Sequence, residues 1–149
     1  MDAPPFRFLE FFAGGGMARI GLDGVFDCAF ANDNDPDKCA AYRANFGFVD
    51  LVEGDIEALA AADLPDADLA WASFPCQDLS LAGARTGLKG ARSGVFWAFW
   101  WLIEALDNDG RAPPVIALEN VSGLLSSNGG RDFAWLCEAL AARGWRVGA

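Results

Sequence analysis

Short apolar runs alternate with helical stretches along the whole 149-residue chain, and this alternation constrains the fold more than any other feature. Five runs have the length and composition of buried strands: residues 7–12, 26–31, 48–52, 68–74 and 114–118. Helical stretches are predicted at 18–22, 36–46, 56–62, 95–106 and 131–143. Strands that alternate with helices indicate a parallel sheet with helices on both faces. We therefore predict one α/β domain over residues 1–149, with a Rossmann-like, doubly wound, mostly parallel sheet.

Two further patterns refine this prediction. Pro36 suits the first turn of a helix, with Asp35 as its N-terminal cap and Gly47 as its stop. The chain then ends on what reads as the start of a sixth strand at 145–147. We therefore expect the sheet to be incomplete at its C-terminal side, with an open edge and exposed apolar surface.

The charge of the chain argues against a self-sufficient DNA-binding module. Acidic residues number 21 against 11 basic ones, which gives a net charge of −10, whereas nucleic-acid binders usually carry a basic face. Although 53% of the residues are hydrophobic, no run reaches the roughly 18 apolar residues that a spanning helix needs. The N-terminus also lacks the basic-then-apolar layout of a signal peptide. We expect a cytoplasmic enzyme with no membrane segment.

The spacing of the cysteines and the lack of histidine limit the kinds of metal site and nucleophile that the chain can form. The four cysteines show no CxxC spacing and the chain has no histidine, so neither a zinc site nor a Cys-His or Ser-His nucleophile pair is predicted. Cys76 differs from the others because it follows the strand at 68–74, as Glu119 follows the strand at 114–118. Ligands of open parallel sheets bind beyond the carboxyl ends of the strands. Cys76 and Glu119 are therefore predicted to share a reaction centre, and the other three cysteines to be small buried hydrophobes.

The first three strands end in a pattern that indicates an adenosine ligand. Glycines directly after the first strand let the backbone approach a ligand closely, but Arg19 stands where a dinucleotide fingerprint needs a third glycine. Asp33 is placed to accept from a ribose diol, and Asp55 from an adenine amino group. Taken singly, each could equally be a helix cap, the role we assign to Asp35. Together they favour an adenosine ligand without a pyrophosphate, and S-adenosylmethionine fits.

Five motifs occur in the order shared by the DNA (cytosine-5) methyltransferases, and the chain resembles that family over nearly its whole length. They are Phe12-Ala13-Gly14-Gly15-Gly16, Asp33 upstream of Tyr42 and Asn45-Phe46, Gly54-Asp55-Ile56, Phe74-Pro75-Cys76-Gln77, and Glu119-Asn120-Val121. The resemblance implies the S-adenosylmethionine-dependent methyltransferase fold. It implies cofactor contacts from Phe12, Ala13, Gly14, Gly16, Asp33, Asp55, Ile56 and Pro75.

The resemblance also implies the catalytic roles. Cys76 adds to carbon 6 of a flipped cytosine, Glu119 stabilises the ring at nitrogen 3, and Asn120 braces the end of the strand. In the family a loop after the cysteine closes over the base, which suits the Gly- and Arg-rich residues 78–94. The predicted substrate contacts are Gln77, Ser80, Arg85, Lys89 and Arg92.

Some of what the resemblance implies is not found in these 149 residues: a glutamine-arginine-arginine segment, a target-recognition region and a C-terminal helix. We expect the isolated chain to bind S-adenosylmethionine weakly and to methylate little or nothing without a complementing segment or second chain. Duplex DNA is the expected partner, in a restriction-linked or other role. Two alternatives remain open: a tRNA cytosine-5 methyltransferase, and a non-catalytic S-adenosylmethionine-binding module of a split or degenerate enzyme.

Overall fold

Five parallel strands form one sheet in the computed structural model, which describes residues 6–75 and 94–149. The strands are β1 (Phe6–Phe11), β2 (Phe26–Asp33), β3 (Leu51–Glu53), β4 (Leu69–Ala72) and β5 (Val115–Leu118). Their order across the sheet is β3-β2-β1-β4-β5. The chain therefore builds outward from β1 in one direction through β3 and then in the other through β5. This is the doubly wound sheet that the sequence predicts.

Four α-helices accompany the strands: α1 (Met17–Leu22), α2 (Pro36–Phe46), α3 (Val95–Asn108) and α4 (Arg131–Ala142). The predicted limits of α2 are confirmed. The Asp35 side chain accepts from the backbone N–H groups of Asp37 and Lys38, and the Gly47 N–H donates to the carbonyl oxygen of Arg43. Gly47 has φ of +85°, a conformation that glycine adopts without strain.

Two hydrophobic cores lie on opposite faces of the sheet, because alternate strand residues point to opposite sides. In β4, Leu69 belongs to the core that α1 and α2 help to form, whereas Ala70 and Ala72 belong to the other core. That second core contains α3, which buries eight of its residues, and the buried stripe of α4. Helices therefore cover both faces of the sheet, and the carboxyl ends of the strands remain as the place where a ligand can bind.

The prediction of a helix at 56–62 is wrong. The chain makes two short 3-10 turns there, Ile56–Ala58 and Ala61–Asp63, separated by extended residues. Alanine favours a helix in isolation, but Ile56 and Leu64 must both reach the core beside α3, and they are 4% and 2% exposed. Packing of these two side chains therefore overrides the local propensity.

Two strand predictions also differ from the structure. The third strand begins at Leu51 rather than at 48, and Phe48 and Val49 are 76% and 94% exposed. No strand forms at 145–147. Trp145 instead stays at the end of α4, where its N–H donates to Leu140 and its ring packs on Trp100.

The β5 edge of the sheet is open in the described part of the chain. β5 pairs with β4 alone among the described strands, and Val115 is 55% exposed. No helix among residues 6–75 and 94–149 is both long and apolar enough to cross a bilayer.

Candidate active site

The predicted site residues that the structure describes lie at or just beyond the carboxyl ends of the strands, on one side of the sheet. Asp55 follows β3, Asp33 ends β2, a glycine turn at 13–16 follows β1, and Glu119 follows β5. The winding direction reverses between β1 and β4, and doubly wound sheets bind ligands at that switch point. Most of the predicted cofactor residues lie on the β1–β3 side of it, whereas Pro75 follows β4. The predicted catalytic residues that the structure describes, Glu119 and Asn120, lie on the β4–β5 side.

The glycine turn is held against the end of β2. Gly14 donates its backbone N–H to the Asp33 carboxylate at 2.8 Å, and Ala13 donates to the carbonyl oxygen of Asn32 at 3.0 Å. Gly14 has φ of +56°, and Phe12, at +57°, adopts the left-handed region that non-glycine residues rarely enter. A turn that combines left-handed residues with a close approach to the neighbouring strand leaves little freedom in its shape.

Asp33 is part of the fold as well as a predicted ligand residue. It is 6% exposed, and its second carboxylate oxygen accepts from the N–H of Asp35 at 2.9 Å. Each oxygen therefore already accepts one backbone hydrogen bond and keeps one lone pair for a further donor.

Asn32 is a site residue that the sequence analysis missed. It is 1% exposed, and its side-chain amide donates to the carbonyl oxygens of Val52 and Gly54, both at 3.0 Å. These bonds hold the chain before Asp55 beside the end of β2. Asp55 is exposed and accepts from Glu57 at the start of a 3-10 turn. The signal in the sequence is an asparagine between the apolar residues Phe30-Ala31 and the predicted ligand residue Asp33.

Glu119 extends the sheet ladder and then faces solvent. Its N–H donates to the carbonyl oxygen of Ala72 at 2.9 Å, and its exposed side chain lines a cavity of about 340 Å³. Trp71 and Ser73 of the neighbouring strand line the same cavity, with the Trp71 indole N–H donating to the Ser73 hydroxyl at 2.9 Å. Residues of α1 form the opposite wall. A carboxyl group therefore opens into a space beside the end of β4.

Asn120 ties the ends of β4 and β5 together. Its side-chain amide donates to the carbonyl oxygen of Phe74 at 2.7 Å, and its side-chain oxygen accepts from the N–H of Val121 at 2.8 Å. Phe74 is buried and Pro75 exposed, so the chain leaves the core at this point. These two hydrogen bonds support the bracing role that the sequence predicts for Asn120.

The remaining predicted residues lie outside the described residues, and their roles stay predictions. They are Cys76, Gln77, Ser80, Arg85, Lys89 and Arg92. Among the described cysteines, burial raises the thiol pKa of Cys28 and Cys39. A raised pKa lowers the thiolate fraction, so these two are poor nucleophiles, as predicted for buried structural cysteines.

The residues at the ends of β1, β2 and β3 fit an adenosine-containing cofactor. A Cβ atom built at Gly14 or Gly15 meets no heavy atom within 4 Å, so the glycine turn borders open space. The Asp33 carboxylate contacts the turn, and the Asp55 carboxylate follows β3, the strand beyond β2; both are acceptors suited to hydroxyl and amino donors. In contrast, Ile56 is 4% exposed and its side chain is directed into the core.

Comparison with known proteins supports the family that the sequence motifs predict. A family model described as C-5 cytosine-specific DNA methylase matches residues 6–149. The chain is 34% identical over 144 residues to the Type II methyltransferase M.Bsp6I of Bacillus sp. (strain RFL6), covering 95% of this chain and 44% of that protein. It is 40% identical over 141 residues to the Type II methyltransferase M2.BsuMI of Bacillus subtilis (strain 168), covering 93% of this chain and 35% of that protein.

Solved structures show the same fold. The S. pombe Dnmt2 methyltransferase superposes with a TM-score of 0.69 at 26% identity, covering 92% of this chain and 42% of that one. A DNA modification methyltransferase encoded within an E. coli prophage superposes with a TM-score of 0.68 at 18% identity, which supports the fold alone. The chain thus spans less than half the length of each of these relatives.

Proposed function

The chain belongs to the C-5 cytosine-specific DNA methylase family, and on that premise we propose that it forms the cofactor-binding and nucleophile-bearing part of a DNA cytosine-5 methyltransferase. S-adenosylmethionine is the methyl donor that the family and the fold imply. The observation that carries the proposal is the Asn120–Phe74 hydrogen bond, because it joins the strand end that bears Glu119 to the one that leads into Cys76. On this proposal the carboxyl of Glu119 and the thiol of Cys76 would act on one base from the ends of neighbouring strands.

The glycine turn, Asp33 and Asp55 would hold the cofactor. The backbone of the turn allows close approach, Asp33 would accept from the ribose hydroxyls with its free lone pairs, and Asp55 would accept from the adenine amino group. Pro75 is exposed at the end of β4 and would close the site on its catalytic side. When bound, S-adenosylmethionine supplies a methyl group on a positively charged sulfur.

The reaction needs a nucleophile because carbon 5 of cytosine is electron-poor. The Cys76 thiolate forms a bond to carbon 6, and the ring electrons shift so that carbon 5 becomes nucleophilic. Glu119, as the acid, donates to ring nitrogen 3 and neutralises the charge that builds there. Carbon 5 would take the methyl group as the sulfur–methyl bond of S-adenosylmethionine breaks, and the electron pair of that bond would stay on the sulfur, which leaves as a neutral thioether. A base would then remove the proton from carbon 5, and the electrons of that C–H bond would form the double bond to carbon 6 and expel the Cys76 thiolate. Nitrogen 3 would return its proton to Glu119. The product is 5-methylcytosine.

A base within a duplex cannot reach these groups, so the target cytosine must be flipped out. The net charge of −10 gives this segment little attraction for phosphates of its own. We therefore assign sequence recognition and most of the phosphate contacts to a further segment or a second chain, with Arg85, Lys89 and Arg92 contributing from this one. On this proposal the isolated chain binds the cofactor but turns over little DNA.

Covalent trapping on duplex DNA that contains 5-fluorocytosine tests the proposal. The fluorine cannot be lost as the proton is, so the thiol adduct persists. With a target-recognition segment supplied, we expect an adduct for the unmodified chain and for the control Cys137→Ser, and none for Cys76→Ser. If no adduct forms while S-adenosylmethionine still binds, the chain is a non-catalytic module and the enzyme proposal is wrong.

A further inference from the structure

A polar cluster lies next to the glycine turn and consists of four hydrogen-bonded side chains: Glu10, Arg19, Tyr42 and Asp50. Arg19 of α1 donates through one guanidinium nitrogen to the Tyr42 hydroxyl at 3.1 Å and to the Asp50 carboxylate at 3.0 Å. The Tyr42 hydroxyl in turn donates to Glu10 of β1 at 3.3 Å. Tyr42 is fully buried and Glu10 is 1% exposed. The cluster therefore connects α1, α2, β1 and the segment before β3, with its Tyr42 and Glu10 end buried and its Arg19 and Asp50 end partly exposed.

The cluster keeps an ionisable group in the interior. Burial raises the pKa of Glu10 to about 7, although bonds from the Arg19 backbone and the Tyr42 hydroxyl, and the Arg19 charge, each act to lower it. A buried polar group costs free energy unless its partners are in place, so loss of one member leaves the others unsatisfied. The hydrogen bonds of the four side chains therefore restrict their relative positions. Arg19 is the member of the cluster that belongs to α1.

The same arginine contacts the ring that supports the glycine turn. The Arg19 guanidinium lies over the Phe46 ring, 4.7 Å from its centroid. A Cβ atom built on Gly16 would lie 2.3 Å from that ring, so the edge of Phe46 rests directly against the last residue of the turn. Tyr42 packs on Phe46 as well, with centroids 5.0 Å apart. A shift of Arg19 is therefore passed through Phe46 to the backbone of Gly16.

The helix that follows the turn has few buried side chains of its own. α1 has six residues, none of them buried, and no side chain caps its N-terminus. Met17 and Ile20 are 77% and 55% exposed. A helix of this length is not stable alone, and most helices gain stability by burying an apolar face. In α1 Leu22 packs partly buried against the core, and the contacts of Arg19 add to this anchoring. On the β2 side the Gly14–Asp33 hydrogen bond fixes the other end of the turn.

We propose that Arg19 is a positioning residue for the cofactor site: through Phe46 and Tyr42 it sets the shape of the glycine turn that receives S-adenosylmethionine. The inference rests on the proposed function, since it takes the turn as the cofactor-binding element. Arg19 itself does not contact the cofactor in this assignment. Its effect is pre-organisation, which raises affinity by lowering the ordering cost of binding.

The test compares Arg19→Ala with Arg111→Ala in the 149-residue chain. Arg111 is a matched control because it also forms an ion pair, 2.7 Å from Asp66, and donates to a backbone carbonyl, but at the amino ends of the strands. Calorimetric titration measures the Kd of S-adenosylmethionine, thermal unfolding measures stability, and amide NMR follows Gly14, Gly15 and Gly16. We expect Arg19→Ala to weaken binding by about tenfold and to move the three glycine amides. We expect Arg111→Ala to leave the affinity within about twofold.

Two conservative variants keep the test informative if Arg19→Ala unfolds. Arg19→Lys keeps the charge but loses the planar guanidinium, so it should recover part of the affinity. Tyr42→Phe removes only the bridging hydroxyl and should weaken binding while the ring still packs on Phe46. The inference is overturned if Arg19→Lys and Tyr42→Phe bind S-adenosylmethionine as tightly as the unmodified chain does. It is also overturned if Arg111→Ala loses affinity for S-adenosylmethionine in the same proportion to its loss of stability as the Arg19 and Tyr42 variants do. If the unmodified chain binds no S-adenosylmethionine, the cofactor proposal fails, and unmoved glycine amides in Arg19→Lys would separately overturn the positioning role.

Discussion

The side-chain amide of Asn120 donates to the backbone carbonyl oxygen of Phe74 across 2.7 Å, and this bond joins the two strand ends that bear the predicted catalytic groups. Asn120 makes a second bond, since its side-chain oxygen accepts from Val121. The residue therefore fixes the exit of β5 and the exit of β4 at once. A catalytic pair held on two strands depends on such a link, because small misplacement of reacting groups is costly in rate.

Asn120→Asp isolates that link. The carboxylate still accepts from Val121 but cannot donate to Phe74, and it places a negative charge against a carbonyl oxygen. We expect the rate of adduct formation with 5-fluorocytosine DNA to fall by at least about tenfold. The Kd of S-adenosylmethionine should change by less than about twofold, because all the predicted cofactor residues except Pro75 lie at the ends of β1 to β3.

Asn108→Asp is the matched control for this prediction. Asn108 accepts from Arg143 with its side-chain oxygen, so an aspartate there keeps its bond and is far from the sheet edge. Adduct formation in Asn108→Asp should match that of the unmodified chain. Equal losses in the two variants would mean that the added charge, and not the bond to Phe74, is responsible.

Asp33→Asn should lower both stability and cofactor affinity. Asp33 accepts from Gly14 and Asp35 with separate oxygens, and an amide presents a donor to one of these N–H groups. Hydrogen bonds to charged groups contribute about 1.5–3 kcal/mol each, so we expect a loss of about 2 kcal/mol in urea unfolding. Asp55 is exposed and makes one capping bond, which the side-chain oxygen of an asparagine can also accept, so the stability of Asp55→Asn should stay within about 0.5 kcal/mol. A weaker Kd with the smaller stability loss would identify Asp55 as a ligand contact.

The sequence predicts this architecture where local pattern and tertiary contact agree. The apolar runs are the strands, and Asp35, Pro36 and Gly47 mark the limits of α2. The prediction is wrong at 56–62, because the burial of Ile56 and Leu64 against α3 depends on a helix far along the chain. Such long-range packing leaves no signal in the local alanine content.

The same difference between local sequence pattern and long-range contact applies to the residues of the candidate site. The glycine turn and the acidic residues could be located from their places after strands, whereas the partners that hold them could not. Arg19 was noted only as the residue that replaces a glycine, since its bond to Tyr42 joins residues 23 positions apart. Asn32 likewise acts on Gly54 across 22 positions. These contacts arise from strand order and helix placement, which a single sequence does not contain.

Gly16→Ala and Gly15→Ala should separate folding from binding in the glycine turn. A Cβ atom at Gly16 would lie 2.3 Å from Phe46, and φ there is +88°. We expect Gly16→Ala to lose about 1–3 kcal/mol of unfolding free energy. At Gly15 nothing lies within 4 Å of the added atom, so stability should stay within about 0.5 kcal/mol. Because that open space is where we place the cofactor, Gly15→Ala should still weaken S-adenosylmethionine binding in calorimetry. An unchanged Kd would place the ligand elsewhere.

The buried Glu10 carboxyl predicts how stability depends on pH. Its pKa is raised from 4.5 to about 7 in the folded chain by burial, so between these values the folded state holds a proton that the unfolded state has released. Its contribution to stability is therefore complete below pH 4.5 and is lost as pH rises to about 7. The unfolding free energy should fall by at most about 1.4 kcal/mol per pH unit because of this group, and by about 3 kcal/mol in total across the range. Urea unfolding of the unmodified chain and of Glu10→Gln across this range measures the term. Because glutamine does not titrate, the difference in unfolding free energy between the two should change with pH, and a constant difference would show that Glu10 keeps its ordinary pKa.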